Sequence, residues 1–208
     1  NDIKVFLAQG YREFRDIVTR IQPETYSVGA VFTMSSASEF DFSTTDVTFD
    51  DASTGKILGA SATDGRRLVK LISASIVDTS SGQSKIIFEP VTSMQALDQA
   101  WNGYLLAGAK MLFSGEITDD VTLAYVSEQS ATLWDNLSAT TEVDDLGLYH
   151  DIIALLASKQ YAIRDGDFNG PLMTQMGQRL ADLNEGLTKR VVDAPQYVQR
   201  VLENNEYY

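Results

Sequence analysis

The chain has 208 residues, and its hydrophobic share of 44% is typical of a globular protein rather than a disordered one. Sixteen basic and 29 acidic residues give a net charge of −13, which excludes nucleic-acid binding by a general basic surface. The absence of cysteine excludes disulfides, thiolate metal sites and thiol nucleophiles, and a single histidine leaves little room for imidazole chemistry. Apolar runs of only four or five residues predict no membrane-spanning helix.

The first 22 residues predict an amphipathic helix. Its apolar residues recur at alternating spacings of four and three, which places one stripe on one helix face: Leu7, Tyr11, Phe14, Val18 and Ile21. Asp2 is a suitable N-cap. Pro23 ends the helix, because the residue before a proline avoids the α region.

Residues 26 to about 130 have the composition of a β-rich region, with Ser, Thr, Val, Ile, Phe and scattered glycines. Short strands are predicted at 26–32, 39–42, 68–77, 85–88, 110–113 and 121–126. In the last of these, Val121, Leu123 and Tyr125 alternate with less apolar residues, which is typical of a half-buried strand. The aromatic residues predicted to form the core are Phe32, Phe40, Phe42, Phe49, Phe88, Phe113 and Tyr125.

One short helix interrupts this region at residues 93–101. Ser93 is its expected cap, and Met94, Leu97 and Trp101 are expected to share one apolar face.

Helical periodicity returns near the C-terminus. From Asp144 and Asp145, whose charges suit a helix N-terminus, a helix is predicted to Arg164. Its apolar faces comprise Leu148, Ile152, Leu155 and Lys159, with Tyr149, Ile153, Leu156 and Ile163 beside them. A second helix is predicted over 171–190, with the stripe Leu172, Met176, Leu180, Leu183 and Leu187.

These elements predict an α+β fold, a three-helix bundle from both chain ends with an inserted β-rich domain and an extended C-terminal tail. Three helices with one apolar stripe each can bury those stripes together. The predicted boundaries are 1–23 plus 141–193 for the bundle, 24–140 for the inserted domain and 194–208 for the tail. Because the tail follows Pro195, we expect its apolar residues to bind another chain: Tyr197, Val198, Val201, Leu202, Tyr207 and Tyr208. The alternative is that these residues pack on their own domain.

Residues 165–170 match the first half of an EF-hand calcium loop, with oxygen ligands at Asp165, Asp167 and Asn169 and glycine at Gly170. The twelfth position requires a bidentate acid and holds Met176 instead. We therefore interpret the segment as a polar turn between helices and predict no metal site.

No catalytic constellation is predicted either. His150 and Asp151 are adjacent on a helix and do not face each other. The acid pairs Asp50–Asp51, Asp119–Asp120 and Asp144–Asp145 are the minimal equipment of a glycoside hydrolase, but neighbouring strand residues point to opposite faces. We predict no enzyme and no cofactor. The alternatives are an acid-pair glycoside hydrolase and a monomeric surface-binding module with a loose calcium site.

The order of the segments along residues 3–190 resembles the head–tail adaptor (connector) proteins of tailed bacteriophages. The segments are Tyr11-Arg12-Glu13-Phe14, Ser38-Glu39-Phe40-Asp41-Phe42, Pro90-Val91-Thr92-Ser93-Met94-Gln95-Ala96-Leu97-Asp98 with Trp101, Lys110-Met111-Leu112-Phe113, Val121-Thr122-Leu123-Ala124-Tyr125, Leu148-Tyr149-His150-Asp151 and Arg164-Asp165-Gly166-Asp167. Two features depart from the family pattern, a long stretch at 44–64 and a strand region rich in Ser and Thr.

The resemblance implies a structural virion protein at the head–tail junction, made in the cytoplasm of the host bacterium. Such a subunit forms a ring, twelvefold in that family, which binds the portal and receives the tail or a tail-completion protein. The DNA passes through the lumen of the ring without specific binding. The C-terminal segment of such proteins commonly reaches into the portal, which suits the aromatic tail.

Overall fold

The computed structural model describes residues 2–77, 84–130, 146–166 and 170–203, with side chains up to residue 189 apart from that of Ser84. It contains the helices α1 (Asp2–Ile21), α2 (Met94–Gln99), α3 (His150–Asp165) and α4 (Gly170–Glu203). Its strands are β1 (Ser27–Thr33), β2 (Ala37–Asp41), β3 (Val47–Phe49), β4 (Thr54–Gly55), β5 (Leu68–Val77), β6 (Ser84–Pro90), β7 (Gly103–Ala107), β8 (Lys110–Ile117) and β9 (Asp120–Ser127).

The predicted fold class is wrong. The protein is a mixed α/β protein dominated by one nine-stranded sheet, and not a three-helix bundle with an inserted β-rich domain. The prediction treated the strands as separate short pieces, whereas long-range pairing joins them. β9 pairs with both β1 and β5, so strands distant in sequence form the centre of the sheet. Among the helices, α1 packs mainly on α3 rather than equally on both C-terminal helices.

The strands lie in the order β2-β8-β7-β6-β5-β9-β1-β3-β4. Neighbours are antiparallel except β6 and β7, which α2 connects as a parallel pair. A parallel pair needs such a crossover because the chain must return to the starting edge. Ser93 caps α2 as predicted, since its Oγ accepts a hydrogen bond from the Ala96 N–H at 3.1 Å. The sequence prediction missed β3, β4 and β7.

The core of the sheet contains all seven predicted aromatic residues, each less than a tenth exposed. Phe32 contacts Phe40, with ring centroids 4.2 Å apart, and Phe88 contacts Phe113 at 4.9 Å. Val121, Leu123 and Tyr125 are buried and Thr122 and Ala124 are half-buried, as the predicted alternation requires. Val126 is buried as well, so the alternation ends at Tyr125. Burying large aromatic side chains provides most of the apolar area that stabilises such a sheet.

The chain divides into two units, residues 26–131 with the sheet and Asn1–Thr25 plus Thr132–Tyr208 with α1, α3 and α4. In the helical unit the buried side chains include Phe14 and Val18 of α1, Ile152 and Leu156 of α3, and Leu183 and Leu187 of α4. Lys159 of α3 donates to Glu13 of α1 at 2.6 Å.

Several helical residues predicted to be apolar contacts are instead exposed. Leu148 precedes α3 and is 80% exposed, while Ile163 is half exposed near its end. Ile152, Ile153 and Leu156 are buried as predicted, whereas Leu155 is only half-buried and Ala157, outside the predicted faces, is buried.

Candidate functional site

The predicted docking tail lies at the end of α4. The helix runs for 34 residues through Pro195 to Glu203, so the predicted end of the helix near residue 190 is wrong. A proline's φ is compatible with a helix, and its cost there is the lost N–H bond and a local distortion. The side chains of Tyr197, Val198, Val201 and Leu202, and all of Tyr207 and Tyr208, lie outside the described residues.

The length of α4 is itself informative. At about 1.5 Å per residue it spans about 51 Å, against about 24 Å for the 16 residues of α3. Among the α4 side chains that the structure describes, those of residues 170–189, the buried ones are Met176, Leu183 and Leu187. α4 has 18 residues more than α3, which is about 27 Å of helix.

Large apolar side chains are exposed on the sheet unit, where Trp101 is 93% exposed, Ile87 62% and Met94 53%. Met94, Leu97 and Trp101 were predicted to share one helix face. Leu97 is buried in α2, but the prediction is wrong for Trp101, because α2 ends at Gln99 and Trp101 belongs to the turn that leads into β7. The Asn102-Gly103 dipeptide is a turn signal that could have placed Trp101 outside the helix.

A cleft of about 190 Å³ lies beside Trp101. One wall is formed by Ile76 of β5 with Ile86 and Phe88 of β6, and the other by residues 114–119 of β8 and the turn after it. Ser114 closes one end, because its Oγ accepts from the Gly103 N–H at 3.0 Å and donates to the Trp101 carbonyl at 3.2 Å. The sequence analysis did not identify this cleft, since it depends on the pairing of strands that are distant in the chain.

The helical unit also exposes large apolar side chains. These are Ile3 (75%) and Val5 of α1, Leu148, and Tyr161 and Ile163 of α3. Tyr161 packs edge-on against Phe6, and Arg164 lies over both rings. Single exposed apolar residues are ordinary on a protein surface, but groups of them on one unit are typical of interaction surfaces.

The acid pair Asp50–Asp51 occupies the turn after β3. Asp50 Oδ2 accepts from the Gly29 N–H at 2.7 Å, and Asp51 accepts from the side chain and backbone of Ser53 and from Arg66. The hydrogen bonds from Ser53, together with the charge of Arg66, lower the pKa of the Asp51 carboxyl. Both carboxylates thus stabilise local structure rather than facing a common cleft.

Of the other acid pairs, Asp119–Asp120 is bonded through one carboxylate and one backbone carbonyl, and Asp144–Asp145 is not described. Asp120 accepts from the Thr33 hydroxyl at 2.6 Å, and the Asp119 carbonyl accepts from the Met34 N–H. Asp144 and Asp145 lie outside the described residues. None of the geometry in the described ranges brings two carboxylates of a pair to one bond of a bound sugar.

The calcium-like segment begins where α3 ends. Asp165 is the last residue of α3 and accepts from Arg164 at 2.9 Å, and Gly166 follows in the left-handed conformation with φ +73°. Asp167 and Asn169 lie outside the described residues. His150 is the first residue of α3 and precedes Asp151, whose carboxylate accepts from Arg179 of α4. Across the described ranges, no three acidic or histidine side chains cluster as metal ligands.

Many of the basic side chains are already paired with carboxylates. Within the described ranges the paired cations are Arg66, Arg67, Lys110, Lys159, Arg164, Arg179 and Lys189. Arg179 is held by Asp151 and Asp182 and also donates to the Leu148 carbonyl. Cations neutralised in this way contribute little attraction for phosphate.

No family model matches the chain, and no curated protein matches its sequence significantly. Among the described helices, none combines the length and hydropathy of a transmembrane segment.

Proposed function

We propose that the protein is a structural subunit of the head–tail adaptor ring of a tailed bacteriophage. In this role it occupies the head–tail junction of the virion, binds the portal, extends the DNA channel and receives the tail. The ring is twelvefold, as the sequence resemblance implies, and the contacts between subunits and neighbouring proteins are its function. No catalysis is assigned to it.

The observation that carries this proposal is the exposure of large apolar side chains on both units. Trp101 on the sheet unit and Leu148 and Ile3 on the helical unit are each at least three-quarters exposed. Covering such a side chain contributes about 1.5–3 kcal/mol when it becomes fully buried. A subunit with neighbours can cover these side chains, whereas a protein working alone leaves them in water.

The negative charge of the protein suits a channel that does not bind the DNA passing through it. The net charge of −13 and the pairing of at least seven of sixteen basic residues leave a surface that repels phosphate. DNA passes through such a ring in both packaging and ejection, and a channel wall without unpaired positive charges does not hold it back.

The test is assembly of purified full-length protein with the portal of the same phage, measured by light scattering after size exclusion. The protein alone is expected to form a particle of twelve 22.9 kDa chains, with a mass of about 275 kDa. With portal present, the complex is expected to exceed the mass of the portal ring by the same amount. A triple variant Ile3→Ser, Trp101→Ser, Leu148→Ser should assemble poorly. A matched variant of three exposed polar residues, Thr174→Ala, Gln178→Ala and Asn184→Ala, should assemble like the wild type.

Two results would contradict the proposal. The first is a protein that remains at the mass of one chain both alone and with portal. The second is tight retention of double-stranded DNA at physiological salt, because a channel wall of this charge should show none.

A further inference from the structure

The cleft beside Trp101 combines an exposed aromatic ring with two carboxylates. Trp101 is 93% exposed. Glu116 of β8 and Asp119 of the turn after it line the same cleft and are exposed. Within the described ranges neither carboxylate has a hydrogen-bond or ion-pair partner, and the lining of the cleft contains no basic side chain. The cleft is therefore negatively charged and lacks a cation.

The floor of the cleft is apolar and small. Phe88 and Ile117 are buried, and Ile86 is half-buried. The cleft volume of about 190 Å³ is below the about 300–1,000 Å³ of pockets that hold drug-sized ligands, so the cleft accommodates a single side chain. A side chain with an apolar stem and a positively charged end suits both the floor and the carboxylates.

At three other places in the described ranges, an aromatic ring and a carboxylate flank an arginine. These sets are Arg66 with Phe49 and Asp51, Arg164 with Tyr161 and Asp165, and Arg179 with Tyr149 and Asp151. In each set the guanidinium carbon lies 4.9–6.0 Å from the ring centroid, and a guanidinium nitrogen lies 2.6–2.9 Å from the carboxylate. A guanidinium suits both partners, because it is attracted by the face of an aromatic ring and bonds carboxylates in a planar fork. The Trp101 cleft has the ring and the carboxylates without the arginine.

Two arginines of α1 are available to a second copy of the chain. Arg12 and Arg20 are both exposed, and within the described ranges neither has a hydrogen bond or an ion pair. Asp16, which lies about one turn from each, pairs with neither. Four other arginines already bind carboxylates of their own chain: Arg66, Arg67, Arg164 and Arg179.

The charge of α1 is opposite to that of the whole protein. The helix contains four basic and three acidic residues, whereas the chain has a net charge of −13. Two of the three acids are paired with α3, because Asp2 contacts Arg164 and Glu13 contacts Lys159. The acidic cleft of another copy is therefore complementary in charge to the exposed side of this helix.

Arg12 is better placed for this contact than Arg20. Successive helix residues are about 100° apart, so Val5 lies about 20° from Arg12 around the axis of α1. Val5 is 54% exposed, and docking of this face would cover it together with Trp101. Arg20 lies about 80° from Arg12 around the axis, away from this apolar neighbour.

We propose that Arg12 of one copy inserts into the Trp101 cleft of a neighbouring copy. Its apolar stem lies on the floor at Phe88, and its guanidinium stacks on the Trp101 ring. Glu116 and Asp119 accept hydrogen bonds from the guanidinium. The contact joins two different surfaces, so each copy offers a helix to one neighbour and a cleft to the other, as the subunits of a ring do. The inference rests on the proposed function, because it identifies the contact between ring subunits.

The test exchanges the charges of the two surfaces and measures the assembled mass by light scattering after size exclusion. Arg12→Glu reverses the helix, and Glu116→Arg with Asp119→Arg reverses the cleft. Either variant alone brings like charges together and should raise the protein concentration needed for half-assembly at least about tenfold. Mixed in equal amounts, the two variants should assemble like the wild type, because every contact of an alternating ring then joins opposite charges.

Arg20→Glu is the matched control, since it changes the net charge by the same amount on the same helix. It should assemble like the wild type, and it should not restore assembly when mixed with the reversed cleft. Circular dichroism verifies that each variant is folded. The inference is overturned if Arg12→Glu assembles like the wild type, or if the mixture assembles no better than its two components.

The fluorescence of Trp101 provides a second measurement. The chain has two tryptophans, so Trp134→Phe leaves Trp101 as the single indole, and assembly should shift its emission to shorter wavelength. If the protein alone stays a monomer and the shift appears only when portal is added, the inference is overturned, because the occupant of the cleft then comes from the portal.

The outcomes for this contact and for the adaptor function are distinguishable. An oligomer that responds to the charge exchange but does not bind portal would contradict only the adaptor function. A twelvefold ring that binds portal and assembles equally well in all variants would overturn only the Arg12 contact.

Discussion

Gly10 of α1 lies directly against the backbone of Ile153 on α3: a Cβ at position 10 would lie 2.6 Å from the Ile153 carbonyl oxygen and 2.8 Å from the Ala157 nitrogen. Both neighbours are backbone atoms, which cannot rotate away as the end of a side chain can. The two helices therefore approach as closely as a glycine permits, and any side chain at position 10 has to push them apart.

Gly10→Ala should destabilise the helical unit by about 1–3 kcal/mol, the usual cost of overpacking. Alanine favours a helix by about 1 kcal/mol over glycine, so the measured loss is the net of the two effects. Gly177→Ala, on the exposed face of α4, distinguishes the two effects. It has the higher helix propensity of alanine without overpacking, so it should stabilise the protein slightly. Urea unfolding followed by helical circular dichroism measures both. A Gly10→Ala variant as stable as Gly177→Ala would contradict the close approach.

Leu156 and Leu155 both belong to the predicted apolar faces of α3 but differ in burial. Leu156 is 1% exposed, so Leu156→Ala should cost about 2–5 kcal/mol through lost burial and the cavity left behind. Leu155 is half-buried, and Leu155→Ala should cost clearly less. The measurement is the urea midpoint of each variant. Equal losses would show that both residues belong to the interior.

The difference between these neighbours shows what sequence patterns can and cannot determine. The spacing of Tyr11, Phe14 and Val18 identified α1 within one residue, because periodicity is a local property. The 68–77 run of β-branched and apolar residues likewise matched β5 at both ends. Which of two adjacent leucines faces α1 depends on where Gly10 allows the helices to meet, and no pattern within α3 contains that information.

The fold class was predicted wrongly and the cleft was not predicted at all, for a related reason. Strand pairs such as β1–β9 and β5–β9 join residues more than 40 positions apart, and single-strand patterns do not specify their partners. β7 was missed because its Gly-Tyr-Leu-Leu-Ala sequence has no clear alternation. Without β7, neither the cleft beside Trp101 nor the exposure of Trp101 could be inferred.

Tyr125 should make the sheet unit sensitive to alkali. Its hydroxyl donates to the Arg66 carbonyl at 2.9 Å, and burial raises the pKa of the phenol to about 12. In the unfolded chain the phenol ionises near its usual pKa of about 10. Between these values the unfolded state loses a proton that the folded state keeps. The contribution of Tyr125 to stability is therefore complete below about pH 10 and is lost as the pH rises toward about 12.

Tyr125→Phe isolates this effect. At neutral pH the free energy of unfolding of the variant should be about 1 kcal/mol lower than that of the wild type, because the Arg66 carbonyl loses its hydrogen-bond donor. Above about pH 10 the wild type should weaken more steeply than the variant, so the stability difference between them narrows. Urea midpoints from pH 7 to 11 test this. Parallel pH profiles of the two proteins would show that the hydroxyl is not buried.

Deleting residues 196–208 should leave the helical unit folded and abolish stable attachment to the portal ring. The deletion retains Met176, Leu183 and Leu187, the buried side chains of α4 within the described range 170–189, and we predict that the melting temperature changes little. The deleted part contains six large apolar or aromatic residues, each able to contribute about 1.5–3 kcal/mol when fully buried on a partner.

Ordering a flexible segment costs about 1–2 kcal/mol of backbone entropy per residue, which offsets much of that gain. Residues 196–203 already belong to α4, so the helical part of the segment avoids most of this cost before it docks. A ring that presents many such ends at once strengthens weak individual contacts further. The measurement is co-sedimentation with purified portal of the full-length and truncated proteins. Two double variants test the apolar residues of the tail. Tyr197→Ser with Val201→Ser should no longer co-sediment with the portal ring, whereas Gln196→Ala with Gln199→Ala should still do so. Equal co-sedimentation of all forms would exclude the tail as the portal contact, and unfolding of the truncated protein would assign the segment to the core of its own unit.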